Sequence, residues 1–149
     1  MTDSAYCLSC ANDARPDVPL RDRIHRGPHW WVAHAFGTAL PGWLVVVPRR
    51  HVVALDELTP AEAADLGPLL REVTSALRRV TGCEKTYVAL FAEAEGFSHV
   101  HFHVMPRRAD LSPEFRGPRV FGLLGAEPGH EVPEGVRDEL ASKLAAALA

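Results

Sequence analysis

The sequence lacks any long apolar run. Uninterrupted apolar stretches such as Leu44–Val47 are far shorter than the roughly 20 residues that a membrane-spanning helix needs. Residues Met1–Asn12 also contain no apolar stretch of the kind found in signal peptides. We therefore expect a cytoplasmic protein that does not associate with membranes.

Clusters of basic residues are also missing. The chain has 16 Lys and Arg residues against 19 Asp and Glu residues, which gives a formal net charge of −3. Binding to a nucleic acid backbone needs cations gathered on one surface, so we expect no nucleic acid partner. With 47 % apolar and 23 % charged residues, the composition is typical of a globular protein, and residues 1–149 are predicted to form one domain.

Cysteine is scarce. The chain has 3 cysteines, an odd number, and two of them form the Cys-x-x-Cys sequence of Cys7 and Cys10. In a reducing compartment such a pair is more often a metal or redox element than a structural disulfide. Cys83, beside Gly82, is interpreted as a small core residue.

The apolar patterns predict an α+β protein. Stretches rich in β-branched and aromatic residues predict four strands, at residues 30–36, 43–47, 86–91 and 99–105. The first strand is expected to pair antiparallel with the second, and the third with the fourth. Pro48 and Pro106 are expected to end the second and fourth strands. Thr59-Pro60-Ala61-Glu62 is a capping box, and apolar residues at helical spacing continue to Gly82, so we expect a helix of roughly 22 residues. A C-terminal helix is predicted over residues 134–149, with one apolar stripe formed by Val136, Leu140, Leu144 and Leu148.

Two segments lack clear periodicity. Residues 13–28 are rich in Pro, Arg and Asp and are predicted to form a loop with at most one helical turn. Residues 109–133 are rich in Pro and Gly, with an apolar island at residues 120–124 that lies against either the core or a partner.

Three histidines alternate with apolar residues in His99-Val100-His101-Phe102-His103-Val104-Met105. In a strand, side chains two residues apart share a face, so the imidazoles would line one face about 6.5 to 7 Å apart while the apolar residues enter the core. Imidazole can bind a metal, donate to a phosphate or act as a nucleophile near neutral pH. The pattern alone leaves these three roles open.

The same seven residues match, at every position, the His-φ-His-φ-His-φ-φ signature (φ, apolar) of the histidine triad (HIT) superfamily. The resemblance covers about residues 7–108, because residues 41–51 are similar to the family's hairpin strand with its following His51 and the long helix falls where the family has one. It implies a HIT-like fold: an antiparallel sheet of about five strands, one long helix and a C-terminal helix. Residues 109–149 form an extension, and a homodimer is implied in which long helices and sheet edges meet.

The resemblance also implies an activity. Members of this family hydrolyse or transfer nucleotides at the α-phosphate through a covalent nucleotidyl-histidine, so the implied partner is a small-molecule nucleotide such as a dinucleoside polyphosphate or a nucleoside phosphoramidate. The central histidine of the motif, His101, would be the nucleophile, and a backbone carbonyl is expected to fix its tautomer. His103 would donate to the phosphate or the leaving oxygen, with Ser98 as a further donor.

Cys7, Cys10, His51 and His99 form a second candidate site. Two thiolates and two imidazoles suit tetrahedral Zn²⁺, although spacing alone also allows a redox pair or unliganded cysteines. The resemblance favours zinc, because many bacterial members and the related galactose-phosphate uridylyltransferases bind it through these four positions. Four protein ligands leave no open position for water, so the metal is expected to be structural.

The chain departs from the family pattern at two places. Ala35 stands where members commonly have Asp or Asn for the ribose hydroxyls, and the short loop from Phe91 to Phe97 is acidic and lacks the usual Asn or Gln. Trp30, Trp43 and Phe97 could stack on a base or belong to the core. The departures leave open a non-catalytic zinc-containing nucleotide-binding or scaffold protein. A thiol–disulfide protein is disfavoured because no βαβ redox context surrounds Cys7 and Cys10.

Overall fold

A five-stranded antiparallel sheet is the centre of the computed structural model, which describes residues 7–149. Residues 1–6, which belong to the segment predicted not to be a signal peptide, lie outside the described residues. In chain order the elements are α1 (Leu8–Ala14), β1 (His25–Arg26), β2 (Trp30–His34), β3 (Leu44–Pro48), α2 (Pro60–Thr81), β4 (Lys85–Leu90), β5 (Phe102–Arg107) and α3 (Glu134–Leu148). The strand order is β1-β2-β3-β5-β4, so the predicted α+β class and strand number are confirmed.

Helix α2 begins and ends at residues that the local sequence dictates. Glu62 N donates to Thr59 Oγ1 at 3.1 Å, and Thr59 N donates to Glu62 Oε1 at 2.8 Å, which completes the capping box. Gly82 ends the helix with a φ of 70°, a left-handed conformation that glycine adopts without steric cost. The predicted helix is confirmed at both ends. None of the helices within residues 7–149 is long and apolar enough to cross a bilayer.

Helices α2 and α3 cover one face of the sheet. Val100, Phe102 and Val104 point into the core on this side, as the alternating pattern predicted. The predicted stripe on α3 is wrong at Val136, which is 39 % exposed, whereas the second half of α3 reaches the core through Ala141 and Leu144. In the first turns of α3, Glu134 and Asp138 face Arg21, which forms an ion pair with each of them.

Part of the second face of the sheet is covered by the chain's own C-terminal extension. Gly117–Leu123 forms a 3₁₀ helix whose Val120 is buried with Trp43 and Met105. The segment is fastened to the turn after β2, because Ala39 N donates to Leu123 O and Val132 N donates to Thr38 O, both at 2.8 Å. The apolar island at residues 120–124 therefore packs on the core of its own chain.

Strand β5 begins and ends later than predicted. His99 and His101 precede it, and Pro106 lies within it, paired with Thr86 of β4. Arg107 O faces β4, because it accepts from Glu84 N, and the ring nitrogen of Pro106 therefore faces the side of β3. The pairing of β5 with β3 has already ended at Val104, so no hydrogen bond is lost at Pro106. The prediction that Pro106 ends the strand is wrong for this reason.

The segment before β2 is more ordered than its composition predicted. Residues 13–28 contain the 3₁₀ turn Leu20–Asp22 and the edge strand β1, which pairs with β2. Helix α1 was not predicted, because seven residues carry too little apolar periodicity to be recognised. Cys7 caps it, with Cys10 N donating to Cys7 Sγ at 3.4 Å.

The carboxylate of Glu62 is 4 % exposed and accepts a hydrogen bond from Arg50 Nη2 at 2.8 Å. That hydrogen bond, more than any other contact, lowers the pKa of Glu62 to about 2. A carboxyl whose folded pKa lies below its unfolded value of about 4.3 contributes stability above that pH and loses the contribution as the pH falls toward the folded pKa.

We predict that Glu62→Gln lowers the free energy of unfolding by about 1 kcal/mol at pH 7, because Arg50 loses its charged acceptor. Urea unfolding of both proteins should show this difference shrinking between about pH 4.5 and pH 2. Glu72→Gln, an exposed position on the same helix, is the control. A difference that stays constant with pH would contradict the assignment.

Candidate functional site

The histidines of the triad segment differ in accessibility. His99 and His103 are 2 % and 7 % exposed, whereas His101 is partly open to solvent. Val100 N donates to Val52 O at 2.9 Å and holds the segment ahead of β5, and the rings of His101 and His103 lie 4.8 Å apart between centroids. His101 is therefore the most accessible ring of the three.

A backbone carbonyl fixes the tautomer of His101. Its Nδ1 lies 2.8 Å from His99 O, and because a carbonyl only accepts, Nδ1 carries the proton. The lone pair is then on Nε2. The carbonyl that was predicted to fix the tautomer belongs to His99, the preceding histidine of the motif.

The ring of His103 is oriented by Trp43. Trp43 Nε1 donates to His103 Nδ1 at 3.0 Å, so the neutral ring of His103 carries its proton on Nε2. Burial, and to a lesser degree the neighbouring His101, lowers the pKa of His103 to about 4. His103 is thus a neutral imidazole near pH 7 that offers one N–H donor.

Of the aromatic residues considered for base stacking, two belong to the core. Trp43 is fully buried, and Trp30 is 2 % exposed with its Nε1 donating to Glu62 O at 2.9 Å. Phe97 is 40 % exposed and lies on Phe36, with the ring centroids 6.2 Å apart. Sequence reasoning missed the contact between Trp43 and His103, which the register of β3 and β5 creates.

Four side chains meet at the N-terminal end of the triad segment. One ligand atom from each of Cys7, Cys10, His51 and His99 lies within 4.8 Å of the others. The shortest separations are 3.3 Å from Cys7 Sγ to His99 Nδ1, 3.3 Å from Cys10 Sγ to His51 Nδ1 and 3.2 Å between the two Nδ1 atoms. Bonds of 2.0 to 2.3 Å from a tetrahedral Zn²⁺ require ligand atoms about 3.3 to 3.8 Å apart, so the donor set fits this ion.

The surroundings of the cluster also suit a cation. The other ring nitrogen of His99, Nε2, lies 2.8 Å from Pro48 O, so it carries the proton and directs the Nδ1 lone pair into the cluster. Burial and the neighbouring Cys7 raise the pKa of the Cys10 thiol to about 11. The protein groups alone therefore disfavour a thiolate at Cys10, and a bound divalent cation would reverse this preference.

Helix α1, which carries Cys10, is held to the sheet by charges. Asp13 accepts from Arg26 Nε at 3.0 Å and from Arg49 Nε at 3.3 Å. Arg23 donates to the carbonyl oxygens of Asn12 at 2.9 Å and Arg15 at 2.8 Å, at the end of the helix. These positioning contacts were not predicted, because Asp13, Arg23 and Arg26 lie in a segment without periodicity and Arg49 reaches Asp13 only through the tertiary fold.

A surface cavity of about 470 Å³ lies between α1 and the start of α2, and His101 is not among its lining residues. Its lining includes Arg49 and Arg50, whose charges are matched by Asp13 and Glu62. The charged groups that line the cavity are therefore already paired with one another, and the cavity is separate from the triad segment. Ser98, the predicted further donor, is exposed and directly precedes His99.

Comparison with known proteins agrees with this geometry. The HIT domain profile matches residues 22–110. The asymmetrical bis(5'-nucleosyl)-tetraphosphatase of Schizosaccharomyces pombe is 34 % identical over 77 residues, which are 49 % of this chain and 42 % of that protein. The Caenorhabditis elegans nitrilase and fragile histidine triad fusion protein NitFhit is 30 % identical over 99 residues, 64 % of this chain and 22 % of that protein. The chain thus spans less than half the length of these relatives.

Two solved structures extend the likeness to the fold. A Zn-bound histidine triad family protein from Mycobacterium smegmatis superposes with a TM-score of 0.70 at 22 % identity, covering 98 % of this chain and 95 % of that one. A histidine triad protein from Sinorhizobium meliloti superposes with a TM-score of 0.67 at 28 % identity, covering 82 % and 85 %. Since the family profile spans more than half of the sequence and includes the histidine motif, the chain belongs to the HIT domain family.

Proposed function

We propose that the protein is a nucleotide phosphohydrolase or nucleotidyl transferase that acts at an α-phosphate, with His101 as the nucleophile. The observation that carries this proposal is the orientation of His101, whose protonated Nδ1 donates to His99 O and whose lone pair is therefore on Nε2. The relative from Schizosaccharomyces pombe, named as a tetraphosphatase, supports the reaction class. Candidate substrates are dinucleoside polyphosphates and nucleoside phosphoramidates.

In the first step, the Nε2 lone pair of His101 attacks phosphorus in line, and the bond from phosphorus to the leaving group breaks. The leaving group departs with the electron pair of that bond and takes a proton from water. His103, with its proton on Nε2, donates a hydrogen bond to the phosphate or the departing atom. His99 O keeps the proton on Nδ1 of His101 and stabilises the positive charge that develops on the ring.

In the second step, water attacks the phosphorus of the nucleotidyl-histidine from the vacated side. The bond from Nε2 to phosphorus breaks, and its electron pair returns to His101. The attacking water leaves its oxygen and one hydrogen on the nucleotide and releases the other as a proton. If another hydroxyl replaces water, the same steps transfer the nucleotide instead. Ser98, exposed beside the motif, is proposed as a further donor to the phosphate.

We propose that Cys7, Cys10, His51 and His99 hold a structural Zn²⁺. Bound there, the ion would supply charge to keep both thiols ionised and a crosslink between α1 and the triad segment. The donor set supports this assignment, since the shortest distances between its four atoms are close to the edge length of a tetrahedron of ligands around Zn²⁺. Because His99 also provides the carbonyl that orients His101, the cluster would act on catalysis through position alone.

A second candidate is a zinc-containing nucleotide-binding or scaffold protein without turnover. The observations that favour it are the exposed Glu93 and Glu95 in the loop before the triad and the buried Ala35, where family members have groups that bind the ribose. Under this alternative the protein binds nucleotides, but no phosphorus bond is broken. Measurement of covalent labelling distinguishes the two candidates.

We predict that brief incubation with a nucleotide labelled at the α-phosphate, followed by acid-free denaturation and peptide mapping, leaves label on His101. His101→Asn should abolish the label and lower kcat by about 10³-fold or more, because no other group nearby is an activated nucleophile. His130→Asn, an exposed histidine, is the matched control. Equal turnover by His101→Asn and wild type would rule out the mechanism, and nucleotide binding without label would support the second candidate.

We predict that Cys7→Ser reduces zinc from one ion per chain, measured by mass spectrometry of the metal after desalting. The melting temperature should fall by roughly 5 to 10 °C, about 2 to 3 kcal/mol for a chain of this size, because α1 loses its crosslink. Cys83→Ala, the remaining cysteine, should keep the full zinc content. Full zinc occupancy in Cys7→Ser would refute the ligand assignment.

We also propose a homodimer formed through β4 and α2. In support, β4 is an outer strand of six residues with one unpaired edge in the described sheet, and Val88 on it is 45 % exposed. Such an edge favours pairing with a second copy.

We predict that Val88→Lys converts a sedimenting dimer into a monomer, because it places a charge at the apolar edge. Val136→Lys changes a valine on α3 that is 39 % exposed, and it should leave the dimer intact. The measurement is sedimentation velocity at micromolar concentration. A wild-type monomer, or a dimer that survives Val88→Lys, would count against this interface.

A further inference from the structure

A small cavity lies between the second half of α2 and the start of β4. It has a volume of about 240 Å³, below the roughly 300 to 1,000 Å³ that is typical of sites for drug-sized ligands. Its lining consists of basic and hydroxyl-bearing residues: Arg71, Thr74, Ser75, Arg78, Lys85 and Thr86. Among the described residues that line the cavity, none is acidic or aromatic. The cavity is therefore positively charged and offers no ring on which a base could stack.

The three cations of this cavity have no carboxylate partner within residues 7–149. The ion pairs of the described chain involve other cations, and Glu84, the acidic residue next to Lys85 in the sequence, pairs with Arg107 Nη1 at 2.6 Å. Helix spacing supplies no partner either, because neither Arg71 nor Arg78 has an acidic residue three or four positions away in either direction. Three like charges thus surround one cavity without a protein group that neutralises them.

The dipole of α2 accounts for only part of this charge. Basic residues in the last turn of a helix interact favourably with its C-terminal end, and Arg78 and Arg79 occupy that turn. The effect falls off within one turn, whereas Arg71 lies near the middle of α2 and Lys85 lies in β4. Arg79 also binds elsewhere, since its Nη2 donates to Ala147 O at 3.1 Å. The helix itself therefore does not explain why three cations meet at the cavity.

The donors of the cavity match an oxyanion. An arginine guanidinium presents N–H donors in a plane that fits two oxygens of a phosphate group, and a lysine ammonium adds a point charge. Ser75 and Thr86 supply hydroxyls for further oxygens, whereas Thr74 Oγ1 donates to Leu70 O at 2.8 Å. A small inorganic anion fits this site better than a nucleotide does, because the nucleoside would find neither the room nor an aromatic ring.

The same surface belongs to the proposed homodimer. Thr86 of the cavity and the exposed Val88 lie two residues apart on β4, so their side chains share one face of the strand. A two-fold interface uses the same patch from both copies, and an interface through β4 and α2 would therefore gather two sets of three cations. Repulsion between these like charges opposes association unless anions neutralise them.

We infer that the cavity between α2 and β4 binds a small inorganic oxyanion of the phosphate class, and that this anion promotes dimerisation by neutralising Arg71, Arg78 and Lys85. The effect on dimerisation rests on the proposed homodimer and not on the chemistry of His101. No covalent bond forms or breaks, because the anion acts as a counterion. By reciprocity, dimerisation strengthens anion binding by the same factor as the anion strengthens the dimer.

Binding is tested by titration of inorganic pyrophosphate into the protein while NMR follows the backbone amide resonances of Ser75, Thr86 and His101. Sodium chloride holds the ionic strength constant, so general screening does not contribute. We expect the amides of Ser75 and Thr86 to shift with a Kd of about 1 mM or lower, the scale of a few exposed charged contacts. Shifts at His101 without shifts at Ser75 and Thr86 would overturn the inference.

Arg71→Gln combined with Arg78→Gln should weaken pyrophosphate binding at the cavity by about tenfold or more, because two of its three charged donors are lost. Arg79→Gln combined with Arg108→Gln removes the same charge outside the cavity and should bind pyrophosphate as wild type does. Melting curves confirm that each variant is folded. Adenosine 5'-diphosphate tests the other source of the same chemistry, and tighter binding of this nucleotide than of pyrophosphate at the cavity would overturn the assignment to an inorganic anion.

Sedimentation equilibrium measures the link to dimerisation. Pyrophosphate should lower the Kd of the wild-type dimer by about tenfold relative to chloride at the same ionic strength. The variant with Arg71→Gln and Arg78→Gln should dimerise in chloride about as tightly as wild type does in pyrophosphate, and it should no longer respond to the anion. A variant dimer weaker than the wild-type dimer in chloride would overturn the inference, because these cations would then pair with carboxylates of a second copy.

The outcomes also separate this inference from the proposed reaction. Turnover with label on His101, together with no binding of pyrophosphate at the cavity, would overturn the inference alone. A wild-type protein that binds pyrophosphate but remains a monomer would overturn the link to dimerisation and the proposed homodimer. A dimer that responds to pyrophosphate in a protein without turnover or label would overturn the proposed reaction alone.

Discussion

The structure depends on the way His99 is bonded on three sides. Its Nε2 is held by Pro48 O at the end of β3, its Nδ1 faces the two cysteines and His51, and its carbonyl oxygen accepts from His101. Each bond fixes a different neighbour, so one residue links the hairpin, the N-terminal helix and the exposed imidazole. Since His99 precedes the ladder of β5, the sheet alone does not hold it. The order of the site therefore comes from these side-chain and carbonyl contacts.

Much of this arrangement could be predicted from the sequence, because its signals are local. The capping box at Thr59 and Glu62, the glycine that ends α2 and the alternation of the triad segment each follow from the preferences of a few adjacent residues. The four candidate ligands of the metal cluster were also identified in advance, and the structure brings them together. That success rests on the resemblance to the HIT family, since the spacing of Cys7 and Cys10 alone allowed a redox pair equally well.

The remainder depends on contacts between distant parts of the chain, which local patterns do not encode. The sequence does not distinguish Trp43 from the other aromatic residues of the hairpin. The register of β3 and β5 places its indole against His103. Helix α1 is too short for periodicity, and Asp13 orients it through arginines that come 13 and 36 residues later. Val136 follows the apolar stripe of α3 but lies outside the core, because Arg21 ties the start of that helix elsewhere. In each case a tertiary contact decided what the sequence left open.

The attachment of the C-terminal extension has a consequence for the limits of the domain. Residues 117–132 bond to the turn after β2 and bury their apolar side chains on the face that carries His103. A boundary at residue 110, where the match to the family profile ends, would divide a single packing unit. Substitutions in the extension therefore change the surroundings of His103 while the histidine motif stays the same. Under the proposed function, such substitutions would alter the preference for substrates without a change in any residue of the motif.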